Sequence, residues 1–91
     1  MERTVIRSLK SVKNDNEYVL FEDKIEVKTR SGTVEIPMVT HTSSYMYELQ
    51  FCEILYMSGK LYVVVATRGA YDEKYEIDED TLELIGPTPF Y

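Results

Sequence analysis

The chain has very little of what small proteins commonly use for chemistry: one Cys, one His and no Trp in 91 residues. A single thiol cannot close an intrachain disulfide, and one thiol with one imidazole cannot fill the four positions of a structural zinc site. The four Gly, at 32, 59, 69 and 86, are scattered as turn residues would be, so there is no Gly-x-x-x-x-Gly-Lys phosphate loop. No Gly-x-Ser-x-Gly nucleophile elbow is present either. Long apolar runs are also missing. Even Leu61 to Ala66 is flanked by Lys60 and Arg68, well short of the roughly 18 residues that a membrane helix needs. Met1 to Lys13 mixes Arg3, Arg7, Lys10 and Lys13 with Val5, Ile6, Leu9 and Val12, without the apolar run or cleavage site of a signal peptide. The expectation is a reduced, cytoplasmic protein with no cofactor, no metal and no membrane association.

What is present argues for a packed domain. Hydrophobic residues make up 44% of the chain, including 8 Tyr and 3 Phe, which is too apolar for a disordered tail. A chain of this size buries only about 60–65% of its unfolded surface, leaving little interior for a deep cofactor cavity. No linker, repeat or low-complexity segment divides it, so residues 1–91 are read as one small β domain.

Strand periodicity dominates. Lys24 to Arg30 alternates Ile25, Val27 and Thr29 with charged residues, and Thr33 to Met38 alternates Val34, Ile36 and Met38 with polar ones. A two-residue turn at Ser31-Gly32 would set Val27 opposite Ile36, Ile25 opposite Met38 and Lys28 opposite Glu35. Pro37 cannot donate to a ladder, which places that strand at an edge. A second hairpin centres on Ser58-Gly59. Its second arm, Leu61 to Ala66, is apolar without alternation, the pattern of a central strand covered on both faces. In the first arm Tyr47, Leu49 and Phe51 share one phase while Ile54 and Tyr56 share the other, so a bulge is predicted near Cys52 and Glu53.

Glu17 to Glu22 is another strand, entered through the turn Asn14-Asp15-Asn16. Tyr75 and Ile77, then Leu82 and Leu84, mark two short strands separated by residues 78–81. Residues 4–13 fit a strand or a short helix, the Thr, Val and Ile content favouring the strand. The tail Gly86-Pro87-Thr88-Pro89-Phe90-Tyr91 is expected to leave the ladder at its prolines and run extended, with Phe90 and Tyr91 capping an open end. About seven short antiparallel strands predict an all-β fold, a small SH3-like or OB-like barrel or a sandwich.

Candidate chemistry is sparse. His41 lies in the polar segment Thr40 to Tyr45 beside Ser43 and Ser44, and Cys52 lies in an apolar strand; a polar loop and a small buried hydrophobe explain them better than a catalytic dyad does. Asp78, Glu79 and Asp80 offer hard oxygen ligands, but an EF-hand loop would need an acid or amide at Leu82 followed by Gly. The fold is therefore read as non-enzymatic.

Charge is uneven. Formal net charge is −6, and the half from 46 to 91 has three bases against nine acids. Direct nucleic-acid binding, confined to Arg3, Arg7, Lys10 and Lys13, is disfavoured by that field. The converse reading makes Asp72, Glu73, Glu76, Asp78, Glu79, Asp80 and Glu83 a phosphate mimic that occupies the basic groove of a nucleic-acid-handling enzyme, as some viral anti-defence proteins do; the plainer reading is a solvated face. The tyrosines point elsewhere. Tyr45, Tyr47, Tyr56, Tyr62, Tyr71 and Tyr75 fall on or beside the long strands, and several are expected to emerge on one sheet face. The leading expectation is a module that binds a protein partner, or a second copy of itself as a homodimer, through that face and an exposed edge.

Overall fold

A computed structural model describes residues 4–38, 49–67 and 72–89. These form eight strands: β1 (Arg7–Lys10), β2 (Glu17–Leu20), β3 (Lys24–Thr29), β4 (Gly32–Pro37), β5 (Leu49–Met57), β6 (Lys60–Thr67), β7 (Glu73–Ile77) and β8 (Leu84–Pro89). They make two four-stranded antiparallel sheets, β1-β2-β3-β4 and β5-β6-β7-β8, each in sequence order. Among the described residues there is no helix, and the alternative of a short N-terminal helix gives way to β1.

The ladders do not close into a barrel. The first sheet meets the second where the Phe51 amide donates to the Glu22 carbonyl at 2.9 Å, beside an Arg7–Glu53 ion pair of 3.1 Å. Among the described residues, this backbone bond at the entry to β5 joins the sheets without a continuous ladder. The SH3-like or OB-like expectation is therefore replaced by two open sheets with one core. That core takes Tyr18, Leu20, Ile25, Val27 and Ile36 from the first sheet and Phe51, Ile54, Leu61, Val63, Val65, Tyr75 and Ile77 from the second.

The hairpins show how local chemistry sets register. Ser58 (φ 52°) and Gly59 (φ 79°) form the tight turn expected between β5 and β6, with Met57 opposite Lys60. Both turn residues take the positive φ that a type I′ hairpin requires. The first hairpin is shifted from expectation: Thr29 pairs with Gly32, Val27 with Val34 and Ile25 with Ile36, so Arg30-Ser31 is the turn. A turn at Ser31-Gly32 would force Ser31 to positive φ. In the observed register the demand falls on Gly32 alone (φ 137°), and the Thr29 hydroxyl accepts from the Ser31 amide at 3.2 Å. The two-residue slip preserves which side chains face the core.

The ladder of β5 on β6 shifts register between Phe51 and Glu53, as the sequence phase predicts, and both Phe51 and Ile54 are thereby fully buried. Leu61, Val63, Val64 and Val65 of central β6 are buried on both faces. The tail differs from expectation. β8 continues pairing past its prolines, Thr88 opposite Lys74 and Pro89 opposite Glu73, with a register shift between Lys74 and Glu76. An edge strand needs hydrogen bonds on one side only, and the irregularity accommodates Gly86-Pro87. Leu82 lies in the preceding turn rather than in a strand. Phe90 and Tyr91 lie outside the described residues.

Candidate functional site

Strand alternation gives each sheet an outer face, and the two faces differ in chemistry. On the first sheet Lys24, Glu26, Lys28 and Glu35 point outward with Glu17 and Val19. Glu26 and Glu35 are directly opposed, a repulsive arrangement. The Lys24 ammonium lies between them, 2.9 Å from Glu26 and 2.8 Å from Glu35, and these hydrogen bonds, that of Glu35 first, raise its pKa. Lys24, Glu26 and Glu35 thus form one ion-paired cluster on this face.

The second sheet presents a different surface. With the core taking the odd positions of β6 and β7, its outer face carries Tyr62, Val64 and Ala66 from β6 and Lys74 and Glu76 from β7. The bulge reverses phase in β5, so Glu53, Leu55 and Met57 join them, and β8 adds Ile85 opposite Glu76. One row across the sheet reads Leu55, Tyr62, Glu76, Ile85 and the next reads Glu53, Val64, Lys74, Thr88. Leu55, Met57 and Tyr62 are half-buried and Ile85 is 51% exposed. The Lys74 ammonium lies over the Tyr62 ring, 5.5 Å from its centroid, and Lys60 approaches Glu76 at 3.8 Å.

Of the six tyrosines, the three that lie among the described residues occupy different places. Tyr62 is on the outer face just described, Tyr75 is in the core, and Tyr56 packs against the core. Tyr45, Tyr47 and Tyr71 lie outside the described residues, as do His41, Ser43 and Ser44. Sequence reading missed Leu55, Met57 and Ile85. The signal for the first two was the bulge itself, because the phase that buries Ile54 and Tyr56 turns Leu55 and Met57 outward.

The acidic run is likewise divided among several roles. Glu79 is buried, 8% exposed. Its Oε1 accepts hydrogen bonds from the Ser11 hydroxyl at 2.6 Å, the Tyr56 hydroxyl at 2.9 Å and the Tyr18 hydroxyl at 3.0 Å. These donors are themselves held: Tyr56 accepts from the Val12 amide, and Ser11 accepts from the amides of Lys13 and Asn14. One carboxylate thus joins the β1–β2 turn, β2, β5 and the β7–β8 turn. Asp78 holds that last turn, its Oδ1 accepting from the Thr81 and Asp80 amides; these bonds lower its pKa, the Thr81 bond contributing most. Asp80 pairs with Lys13 at 3.0 Å. Asp72 and Glu83 are exposed, and Glu73 is half-buried.

The turns at this end enclose an open cleft of about 480 Å³ between Asn14–Asn16, Thr29–Ser31 and Glu79, Asp80 and Leu82. Its polar lining is engaged internally: Asn14 donates to the Glu79 carbonyl, Asn16 to the Tyr18 hydroxyl, and Arg30 pairs with Asp15 at 2.6 Å. Cys52, at the bulge, is half-buried, and burial, followed by the charges of Asp72 and Glu53, raises its pKa. That disfavours the thiolate a nucleophile needs. Among the described residues no group of three or more His, Cys, Asp or Glu is placed to hold a metal, and no helix is long and apolar enough to cross a membrane. No protein-family model matches the chain, and neither a curated protein nor a solved structure matches it.

Proposed function

We propose that this protein is a non-enzymatic interaction module that docks a protein partner on the outer face of its second sheet. The supporting observation is the contrast between the two outer faces. The first clusters Lys24, Glu26 and Glu35 in ion pairs, while the second sets half-buried Leu55, Met57 and Tyr62 and the 51% exposed Ile85 among Glu53, Lys60, Lys74 and Glu76. An apolar centre with an aromatic ring and a polar rim is the anatomy of a protein-binding surface. Tyr62 is the expected anchor, since its ring is large and loses few rotamers on burial.

The test is affinity capture from an extract of the source cells with three baits: the unaltered chain, Ile85→Glu on this face and Lys28→Glu on the other. A partner retained by Lys28→Glu and lost by Ile85→Glu supports docking on the second sheet. Equal retention by all three baits sinks it.

The second reading is the acidic mimic, which draws its support from the net charge of −6. Glu79 serves the interior, leaving Asp72, Glu73, Glu76, Asp78, Asp80 and Glu83 to carry that role. Binding by such a patch would collapse between low and high salt and on charge reversal at Asp78 and Asp80, whereas docking on Tyr62 and Ile85 would change little.

A further inference from the structure

We infer that β4 is an open sheet edge that takes the β4 of a second copy of this chain, the two strands pairing antiparallel about a two-fold axis at Val34. The inference stands apart from docking on the second sheet, since it uses a different part of the molecule. Two open sheets have four edge strands, β1, β4, β5 and β8. β1 and β5 lie against each other, Arg7 pairing with Glu53 and, just beyond β1, the Val12 amide donating to the Tyr56 hydroxyl. β8 carries Pro87 and Pro89, and an edge strand keeps such residues where no ladder bond is needed, so its solvent side lacks both donors. That leaves β4, on whose far side no described strand pairs.

The backbone of β4 is half used. In an antiparallel ladder successive residues direct their backbone groups alternately toward the neighbouring strand and away from it. The Met38 amide donates to the Asp23 carbonyl at 3.0 Å, while the Lys24 carbonyl turns the other way and accepts from the Phe21 amide at 2.9 Å. Carried along the ladder, that alternation turns Gly32, Val34 and Ile36 toward β3 and Thr33, Glu35 and Pro37 away from it. Thr33 and Glu35 therefore each offer an amide and a carbonyl to a strand beyond, and Pro37 a carbonyl alone. The side chains agree. Val34 is on the core side of the sheet, level with fully buried Val27, yet is 45% exposed. The core is left uncovered at this edge.

The pattern fits its own copy. Rotation about an axis at Val34 sets Thr33 of each strand opposite Glu35 of the other, and each such pair exchanges two backbone hydrogen bonds. Both free donors are used, and Pro37, which has none, falls beyond the pairing. Val34 meets its counterpart as the close pair of the ladder, about 4.5 Å between Cα atoms, so that each valine covers the other. Charge permits the approach. The chain carries −6 overall, but β4 has only Glu35, whose carboxylate is held by Lys24 at 2.8 Å and whose cross-strand neighbour would be Thr33. The contact is isologous and uses up both edges, so association closes at a dimer. One short strand buries less than a standard interface, which makes the dimer weak and dependent on concentration.

The experiment joins sedimentation equilibrium of the full chain to amide hydrogen exchange read by two-dimensional NMR, over a hundredfold range of concentration reaching the millimolar. The mass should pass from 10.6 kDa toward twice that value. Over the same range the Thr33 and Glu35 amides should slow at least tenfold, while those of Val34 and Ile36, bonded within the chain, are slow throughout. Glu35→Pro removes a donor from the outer side and spares the ladder to β3, and Val34→Lys sets two cations together at the axis. Each should weaken association at least tenfold, with slow exchange at Ile36 showing that β4 is still in place.

A chain that is monomeric throughout overturns the second copy as occupant, whether Thr33 and Glu35 exchange fast, as at an empty edge, or slowly, as at one covered by other means. A dimer in which those two amides do not respond to concentration overturns the edge, and that reading needs no variant to fold. A dimer that both variants leave intact overturns it as well.

Discussion

Glu79 is the residue whose replacement should be felt most widely, because three hydroxyls from three different elements converge on one of its oxygens. Hydrogen bonds to a charged group contribute about 1.5–3 kcal/mol each, but bonds sharing one acceptor are not additive, and removing one member of a buried charged network costs about 3–5 kcal/mol. Glu79→Ala should fall in that range, since it leaves the hydroxyls of Ser11, Tyr18 and Tyr56 without their acceptor. Total stability for a chain of this length is about 5–14 kcal/mol, so roughly a fifth or more of it is at stake. The melting temperature should fall by roughly 15–30 °C.

Glu79→Gln keeps an acceptor oxygen and loses the charge, so its cost should be smaller, about 1–2 kcal/mol. Urea unfolding followed by far-UV circular dichroism reads both, with the midpoint moving and the slope unchanged. A double-mutant cycle makes the reasoning sharper. Tyr56→Phe should destabilise the unaltered chain and cost much less in the Glu79→Ala background. Glu79→Ala within about 0.5 kcal/mol of the parent, the span of an ordinary surface change, would refute the account.

Three other outcomes are expected. Burial foremost raises the pKa of Tyr18 well above its ordinary value; the folded state then holds its proton more tightly than the unfolded one. Its contribution is complete below about pH 10 and is lost as pH rises, by up to about 1.4 kcal/mol per unit. Tyr18→Phe should flatten that alkaline slope, and identical slopes would discount the assignment. Cys52 should react with a disulfide reagent more slowly at pH 7.5 than it does in urea, because burial and the neighbouring acids disfavour its thiolate; equal rates would contradict this. Deleting Cys52 takes out the extra residue of the bulge and leaves Phe51, Glu53 and Ile54 in strict alternation, so Phe51 and Ile54 both keep facing the core. The deletion should cost no more than about 1 kcal/mol by urea unfolding, and a loss of about 3 kcal/mol or more, the scale of turning a large side chain out of the core, would show that the bulge does not set the phase.

Much of the local structure was legible because short-range chemistry governs it. Positive φ at Ser58-Gly59 marks a hairpin, the phase reversal between Phe51 and Ile54 demands an extra residue, and unbroken apolar content from Leu61 to Ala66 requires cover on both faces. None of these depends on distant contacts. The first hairpin shows the margin of that method: Ser31-Gly32 and Arg30-Ser31 both preserve the faces, so periodicity cannot choose between them, and the Ser-Gly pair that makes the turn at Ser58-Gly59 does not make it here.

The prolines of β8 misled for a related reason. Their missing donors forbid a central strand but are harmless at an edge, and edge position is a property of the whole sheet. The candidate surface and the buried carboxylate are further still from sequence reading. Glu79 is one acid among seven between positions 72 and 83, and nothing local separates it from the exposed Asp72 or Glu83. It is distinguished only by Ser11, Tyr18 and Tyr56, which lie 68, 61 and 23 residues away in the chain.

Local pattern, then, determined that the chain makes antiparallel strands, where several of them turn, and which side chains point inward. Tertiary structure decided that the strands divide into two sheets, that Lys24, Glu26 and Glu35 pair on one outer face while Tyr62 and Ile85 lie on the other, and that one carboxylate of many is drawn inside. The reason is that φ preference and alternation act over a few residues, whereas burial and hydrogen-bond partnership depend on groups that only the completed fold brings together.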